Sequence, residues 1–430
     1  MHIGWAATLS APADGQLPHF SQLREHIARR LGRAPRYRQK LAPVPLGVQA
    51  PEWVDDSAFS VGRHVYRAPG PLDELVDEVM SMPLRRERPL WEIWICEDTE
   101  QQQIGLVGKV HHCMVDGIAA VELASLLLDS TPEPPACAPE EWHASPEPGA
   151  ERLLARGVVD VLGGQLGLLG RPLRALASPS RAAEEVAAGA LRVTRALKHS
   201  LVAAPDSVLN TQISPLRHLV RTQRPFEDLQ AVKRTYGTTI NDVMLATVAG
   251  AVRSYMIRNG EQPVALKAMV PVNVRGSEDI LGNHISFVFA DLPCDEPNAP
   301  ARLRRVHETM SQRKRDGEPE GADIALKAAA LTPQAVQHTV SRFIARPRMF
   351  NLVVSNIPGP TEQLYMLGCP LRATYPVVPL TDRHALSIGM TTVGTLACFG
   401  IYADRESLPH ADGLARDIDE AISELLVPAS

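Results

Sequence analysis

The chain has 430 residues, 45% of them hydrophobic and 22% charged, a composition typical of a globular protein that is long enough to bury the cores of two domains. A formal net charge of −5 with interspersed signs gives no basis for nucleic-acid binding. The six cysteines are scattered without CxxC pairs, which argues against a disulfide framework and favours reduced thiols in the cytoplasm.

Hydrophobic periodicity predicts short strands and amphipathic helices in the first part of the chain. Strands are predicted at residues 1–9, 59–66 and 89–95, and helices at 20–30 and 72–80. The sequence has no run of about 18 apolar residues that could span a bilayer, so any contact with a membrane is expected to be peripheral.

Residues 106–117 combine an apolar run, two adjacent histidines and an Asp-Gly pair. This pattern predicts a strand that ends at His111 and His112, followed by a tight turn and a helix over 118–128. Side chains alternate along a strand, so only one of the two histidines can face a given substrate. Because a neutral imidazole is well suited to take and return a proton, one histidine is a candidate base and the other its support.

Other interpretations of this stretch remain open. Asp116 either orients the imidazole or pairs with an arginine that locks the turn, and Arg275, at the end of a predicted strand, is a suitable partner. A metal site is an alternative for the histidines, but the usual third ligand and ligand spacing are missing nearby. Cys113 is a candidate nucleophile because it lies beside the histidines in the sequence.

A proline-rich stretch separates the two halves of the sequence. Residues 131–149 contain six prolines and few residues that can fill a core, which predicts a linker. Residues 150–203 favour helices. They form either a pair of helices that packs across both domains or an amphipathic face that touches lipid.

The second half again mixes strands and helices. The polar side chains at 239–242 are suited to capping a helix that stops at 259–260, and Asn241 is a candidate cap. Residues 357–360, Ile-Pro-Gly-Pro, predict a stiff turn. The remaining elements are strands at 217–223, 265–275, 284–292, 351–356 and 385–402, and helices at 301–346 and 414–426.

Four short motifs connect these elements to a known family. HHCMVDG at 111–117 matches the HHxxxDG pattern of the CoA-dependent acyltransferase superfamily, which includes chloramphenicol acetyltransferase and peptide-synthetase condensation domains. With PLWE at 89–92, NDV at 241–243 and SNIPGP at 355–360, nearly the whole chain resembles bacterial wax ester synthase/diacylglycerol acyltransferases. Family members usually carry a short segment before the equivalent of Met1, so an N-terminal piece is expected to be missing here.

The resemblance implies an α/β fold with mixed sheets, built as two lobes with a cleft between them, as in chloramphenicol acetyltransferase and condensation domains. The expected regions are an N-terminal lobe at 1–131, a proline-rich linker with connecting helices at 132–205, and a C-terminal lobe at 206–430. Acyl-CoA and an acceptor alcohol would approach His112 from opposite faces of the cleft.

The resemblance also implies the chemistry. His112 is the expected general base for transfer of a long-chain acyl group from acyl-CoA to diacylglycerol or a long-chain fatty alcohol, without an acyl-enzyme, a metal or a cofactor. Among the other expected catalytic residues, His111 supports the base, Asp116 orients it, Gly117 forms the turn and Asn241 polarises the substrate carbonyl. The residues expected to bind substrate are Asn241, Asp242, Ser355 and Asn356. Those expected to have structural roles are Trp91, Glu92 and Arg275. Arg36, Arg38 and Lys40 either meet the phosphates of CoA or keep a surface loop solvated.

Two rival functions remain on the sequence alone. A condensation-type acyltransferase would take its acyl group from a carrier protein, and a catalytically silent relative would only dock on lipid inclusions. PLWE and SNIPGP argue against the first, and intact His112, Asp116 and Gly117 argue against the second. The expected location is the cytoplasm, peripheral to a membrane or to lipid inclusions.

Overall fold

A computed structural model of the chain describes residues 1–12, 15–45, 51–114, 126–133, 142–156, 159, 202–273, 285–317 and 349–427. The longer helices in these ranges are α1 (Phe20–Arg30), α2 (Leu72–Ser81), α3 (Phe226–Tyr236), α4 (Ile240–Arg258), α5 (Ala299–Arg315) and α6 (Gly413–Leu426). The strands of the first half are β1 (His2–Ser10), β2 (Gln39–Ala42), β3 (Glu52–Asp55), β4 (Val65–Arg67), β5 (Trp91–Asp98) and β6 (Gln103–His111). Those of the second half are β7 (Arg217–Pro225), β8 (Leu266–Asn273), β9 (Ile285–Leu292), β10 (Leu352–Ile357), β11 (Tyr365–Met366), β12 (Cys369–Val377), β13 (Leu386–Val393) and β14 (Leu396–Asp404).

The first sheet has the strand order β11-β12-β1-β6-β5-β4. Its central strand β6 runs antiparallel to both β1 and β5, and seven consecutive residues from Ile104 to Val110 are buried. The apolar sides of α1 and α2 share one hydrophobic core with these strands. A strand buried between two neighbours and under helices is held rigidly, so its last residue, His111, has a fixed position.

The second sheet has the order β7-β14-β13-β10-β8-β9. Helices α3 to α6 supply most of the core on one of its faces. Helix α4 is buried over most of its length, which agrees with a sequence that is apolar on all sides. Thr239 caps this helix, and its start is therefore fixed relative to the sheet.

The chain crosses from the second sheet to the first and back again. After β10 in the second sheet, the chain enters the first sheet as β11 and β12, where β12 pairs antiparallel with β1, and then returns to the second sheet as β13. Residues 365–377, assigned to the C-terminal lobe by sequence, thus lie in the first sheet because β1 offers an open edge there. The boundaries of the three predicted regions stay predictions.

The return crossing depends on a close backbone approach. Gly400 of β14 lies opposite Gly389 of β13, and both lie against Pro376 near the end of β12. A Cβ atom at Gly400 would come within 2.0 Å of the Pro376 carbonyl oxygen. Glycine is required at this position because no side chain fits between the two sheets.

One predicted strand, at 59–66, was wrong in extent. Only Val65–Arg67 forms a strand, β4, which pairs parallel with β5. The preceding residues form turns, and the Asp56 carboxylate accepts the Ala58 N–H at 3.1 Å. This local side-chain bond competes with strand pairing, as is common for aspartate. The predicted helices at 118–128, 150–203 and 301–346 lie wholly or largely outside the described residues.

Helix α2, which packs on the first sheet, and β7 of the second sheet are joined by polar contacts. His218 Nδ1 lies 2.7 Å from Asp77 Oδ2, and its Nε2 lies 2.9 Å from Asp412 Oδ1. One turn earlier on α2, Asp73 accepts from Arg221 Nε at 2.7 Å. These contacts connect the helix of the first sheet to the edge strand of the second.

Stability is expected to fall at alkaline pH because of His218. The Asp77 carboxylate, opposed by burial and helped by Asp412, raises the pKa of His218 from 6.5 to about 9. The protonated form is thus favoured in the folded state, so this stabilisation is complete below about pH 6.5 and is lost as the pH rises through about 9. Its magnitude is on the order of 2 kcal/mol after discounting for solvent screening at the exposed Asp412.

The measurement is urea unfolding across this pH range for the parent protein and for His218→Gln. We expect the variant to lose the part of the pH dependence that lies between pH 6.5 and 9. His143→Gln, at an exposed histidine away from the lobe contact, is the matched control and should keep it. An unchanged pH profile in His218→Gln would contradict the assignment.

Candidate active site

The two adjacent histidines lie at the end of the buried strand β6, as the sequence predicts. His111 is the last strand residue, it lies opposite His2 of β1, and its N–H donates to the Leu90 carbonyl at 2.9 Å. His112 begins the turn that follows, and its N–H donates to the Met1 carbonyl at 3.1 Å. The His111 side chain is half-buried and that of His112 is exposed. The exposed imidazole is therefore the one that a substrate can reach directly.

The His111 ring has a defined protonation state. Its Nδ1 accepts the Cys113 backbone N–H at 3.3 Å and lies 3.0 Å from the Cys113 Sγ atom. Because a backbone N–H can only donate, Nδ1 carries no proton, and the ring proton is on Nε2. Burial lowers the pKa of His111 to about 4, so the ring is neutral at physiological pH.

His2 extends the site on the neighbouring strand. Its ring packs edge-on against His111 with centroids 5.9 Å apart, and its Nε2 accepts the Leu84 N–H at 3.5 Å. Burial, followed by the charge of Lys109, lowers the pKa of His2 to about 3. His2 and His111 are thus a neutral pair beside the exposed imidazole of His112.

A buried lysine anchors the strand two residues before His111. Lys109 is 1% exposed, and its Nζ donates to the carbonyl of Val79 at 2.6 Å and to that of Met82. These carbonyls lie at the C-terminal end of α2, where a positive charge is favourable. Burial lowers the pKa of Lys109 to about 8, and Glu92, its cross-strand neighbour, opposes the shift.

The tryptophan and glutamate of the PLWE motif are internal. Trp91 is 1% exposed, its indole N–H donates to the Tyr37 carbonyl at 2.8 Å, and its ring stacks on His64 at 4.7 Å. Glu92 accepts from Arg88 at 2.6 Å and from the indole of Trp94 at 3.1 Å. These contacts hold the strand that lies beside the histidines. They place both residues in the interior of the protein.

At the start of α4, Asn241 and Asp242 make different contacts. Asp242 accepts the Thr239 N–H at 3.0 Å, completing a capping box, and lies 2.8 Å from His307 Nδ1. The cap that the sequence left open for Asn241 is therefore supplied by Thr239 and Asp242. The half-buried Asn241 amide forms no hydrogen bond with any residue that the structure describes, and it stays a candidate donor.

The SNIPGP motif spans the end of β10 and the turn after it. Ser355 and Asn356 pair in parallel with β13, and Ser355 is buried while Asn356 is half-buried. The Gly359 N–H donates to Thr392 Oγ1 at 3.1 Å, and a Cβ atom there would lie 1.9 Å from the Thr392 carbonyl oxygen. The motif therefore packs this turn closely against the residues at the end of β13. A glycine is needed at position 359 because a side chain there would clash with the Thr392 backbone.

The structure places some of the predicted site residues close together and others on different elements. His111, His112, Trp91 and Glu92 lie together around β5 and β6, whereas Asn241, Asp242, Ser355 and Asn356 belong to elements of the second sheet and its helices. Asp116, Gly117 and Arg275 lie outside the described residues, so their predicted roles stay predictions. Sequence reasoning missed Lys109 and His2, and a lysine inside an apolar strand was the signal for the first.

Two family models match most of the sequence. Residues 1–244 match the wax ester synthase/diacylglycerol acyltransferase catalytic domain, and residues 281–426 match the C-terminal domain of the same family. The chain belongs to this family. The predicted family membership is thus confirmed.

Relatives of the wax ester synthase/diacylglycerol acyltransferase family cover nearly the whole chain. Two probable diacylglycerol O-acyltransferases of Mycobacterium tuberculosis are 30% and 29% identical over 99% of this chain, and the chain covers 92% and 94% of them. The solved wax ester synthase/diacylglycerol acyltransferase of Marinobacter aquaeolei is 26% identical with a TM-score of 0.70, covering 99% of this chain and 94% of that one.

A more distant solved structure bears on the fold alone. The starter condensation domain of rhizomide synthetase is 16% identical with a TM-score of 0.56, and the match covers 99% of this chain and 88% of that one. The predicted mixed α/β fold, shared with condensation domains, is confirmed.

Proposed function

We propose that this acyltransferase moves a long-chain acyl group from acyl-CoA to the hydroxyl of diacylglycerol or of a long-chain alcohol. The main support for this proposal is the exposed imidazole of His112, which follows the end of a rigid buried strand and lies beside a neutral His111. Its mycobacterial relatives are named for diacylglycerol, and the Marinobacter structure is named for both diacylglycerol acyl transfer and wax ester synthesis.

The proposed reaction is a direct transfer. His112 removes the proton from the acceptor hydroxyl, the oxygen attacks the thioester carbonyl, and the tetrahedral oxyanion collapses with cleavage of the C–S bond. The CoA sulfur leaves with the proton held by His112. Donors such as the Asn241 amide are placed in this scheme at the oxyanion. The scheme uses no cofactor, since acyl-CoA is itself a substrate.

The state of Cys113 supports direct transfer over an acyl-enzyme. Its thiol is exposed and lies beside His111, as a nucleophile would. Although the residue is exposed overall, partial desolvation of its sulfur atom raises the pKa of the thiol, and only the thiolate is an effective nucleophile. The neutral His111 Nδ1 is a hydrogen-bond partner of the thiol, and its low basicity makes it a poor base for deprotonating it.

The acceptor substrates imply contact with lipid. No helix within the described ranges is long and apolar enough to cross a bilayer. We propose that the protein, located in the cytoplasm, reaches diacylglycerol by peripheral contact with a membrane or with lipid inclusions.

The test is an assay of purified protein with palmitoyl-CoA, in which free CoA thiol and neutral lipid products are followed together. Dipalmitoylglycerol and hexadecanol are added separately. Thiol release that depends on the alcohol and yields triacylglycerol or wax ester is expected, and the faster acceptor identifies the main product. Transfer only from an acylated carrier protein, or binding to lipid droplets without turnover, would overturn the proposal in favour of one of the two rivals.

A further inference from the structure

Two exposed arginines lie on loops that flank the end of β6. Residues 84–90 run beside the histidines, because the Leu84 N–H reaches His2 Nε2 and the Leu90 carbonyl accepts the His111 N–H. The exposed side chain of Arg86 lies on this loop. Among the residues that the structure describes, Arg86 has no carboxylate partner, whereas Arg88 on the same loop is paired with Glu92.

The second arginine lies on a separate loop. Residues 35–38 form a short 3-10 turn that is tied to β5 by the bond from the Trp91 indole to the Tyr37 carbonyl. Arg36 on this turn is exposed, and its guanidinium lies 4.5 Å from the centre of the Trp53 ring. Stacking on an aromatic face orients a guanidinium.

The structure distinguishes among the basic residues of this stretch. Arg38 is buried over the Trp142 ring, and Lys40 forms an ion pair with Glu147 at 3.1 Å. Both side chains thus contact the 142–156 segment. Arg36 alone of these three has an exposed side chain.

The charges of both exposed arginines reach the site. Partial desolvation of the sulfur atom raises the pKa of the Cys113 thiol, and the positive charges of Arg36 and Arg86 both oppose this shift. Arg86 also acts on His111, where its charge adds to the effect of burial in lowering the pKa. The two loops therefore bring positive charge to the same side of the molecule as the exposed His112 and Cys113.

We propose that Arg36 and Arg86 bind the phosphate groups of acyl-CoA at the entrance to the site. CoA carries a pyrophosphate and a 3′-phosphate, which are separated from the thioester by the flexible pantetheine arm. A guanidinium forms paired hydrogen bonds with phosphate oxygens, and these two, on separate loops near Cys113, would hold the phosphates while the thioester reaches His112. This inference rests on the proposed function.

The experiment compares two acyl donors that differ only in the phosphate-bearing part. Initial rates are measured with palmitoyl-CoA and with palmitoyl-pantetheine at fixed acceptor concentration, for the parent protein and for Arg36→Gln and Arg86→Gln. Each substitution is expected to raise KM for palmitoyl-CoA about tenfold, the effect of losing about 1.4 kcal/mol of charge-assisted bonding. KM for palmitoyl-pantetheine should change less than twofold.

Charge controls come from the same chain. Arg416→Gln, at an exposed arginine of α6, should leave both KM values unchanged. Glu87→Gln removes an exposed negative charge next to Arg86 and should lower KM for palmitoyl-CoA. Thermal unfolding of every variant shows whether the fold is retained.

The outcomes separate this inference from the proposed function. Turnover by the parent protein with an unchanged KM for palmitoyl-CoA in both arginine variants would overturn the inference alone, as would equal increases for both donors. If the parent protein transfers no acyl group, the proposed function fails. Titration calorimetry with free CoA then decides the phosphate site, since about tenfold weaker binding by the variants is still expected.

Discussion

Replacement of His112 by alanine is expected to lower kcat for acyl transfer by about 10²–10⁴-fold, the usual contribution of a positioned general base. The side chain is exposed at the end of β6, so the free energy of unfolding should change by less than about 1 kcal/mol. The loss is therefore one of chemistry, with the fold retained. Rates with palmitoyl-CoA and the better acceptor, together with urea unfolding, measure both quantities.

His111→Ala is the informative comparison. His111 is neutral and half-buried, so its replacement should lower kcat less than that of His112 and should lower stability more. Alanine at His143, an exposed histidine outside the HHxxxDG motif, serves as a control for loss of an imidazole alone. If His112→Ala retains activity near that of the parent protein while His111→Ala does not, the assignment of the base is reversed.

Gly400→Ala is expected to lower the free energy of unfolding by about 3 kcal/mol or more. The added methyl would lie 2.0 Å from the Pro376 carbonyl oxygen, which belongs to a strand of the other sheet. A backbone atom held in a six-stranded sheet cannot rotate away as a side chain can. Relief of the clash therefore requires the two sheets to separate.

Urea or thermal unfolding of Gly400→Ala is compared with that of Gly149→Ala, where an added Cβ atom meets nothing within 4 Å. The control should unfold like the parent protein, within about 0.5 kcal/mol. Equal stabilities for the two variants would show that the sheets accommodate the methyl group and that their packing here is loose.

Local patterns were sufficient for most elements. The predicted helix at 20–30 coincides with α1, and the strand carrying the histidines ends at His111 as expected. Helix α1 was predictable because its apolar residues lie on one side, and β6 because a short continuous apolar run indicates a buried strand. It failed at 59–66, where the Asp56 carboxylate bonds to the backbone and favours turns.

Non-local features were not accessible from the sequence. The pairing of β12 with β1 joins residues separated by most of the chain, and nothing in either segment specifies the other. The site shows the same limit. The motif identified both histidines, but their difference in exposure arises from the turn after β6, and the neutral state of His111 arises from its burial. The anchoring of Lys109 to the end of α2 depends on a contact across the core.

The position of β12 has a consequence for how the protein is made. Strand β1 lies between β6 and β12, so during synthesis one of its edges has no partner until the ribosome has added residue 377. An unpaired edge of nine residues is a site for aggregation. A nascent chain stalled after β6 would expose that edge, and it would depend on chaperones or rapid elongation to reach the native pairing.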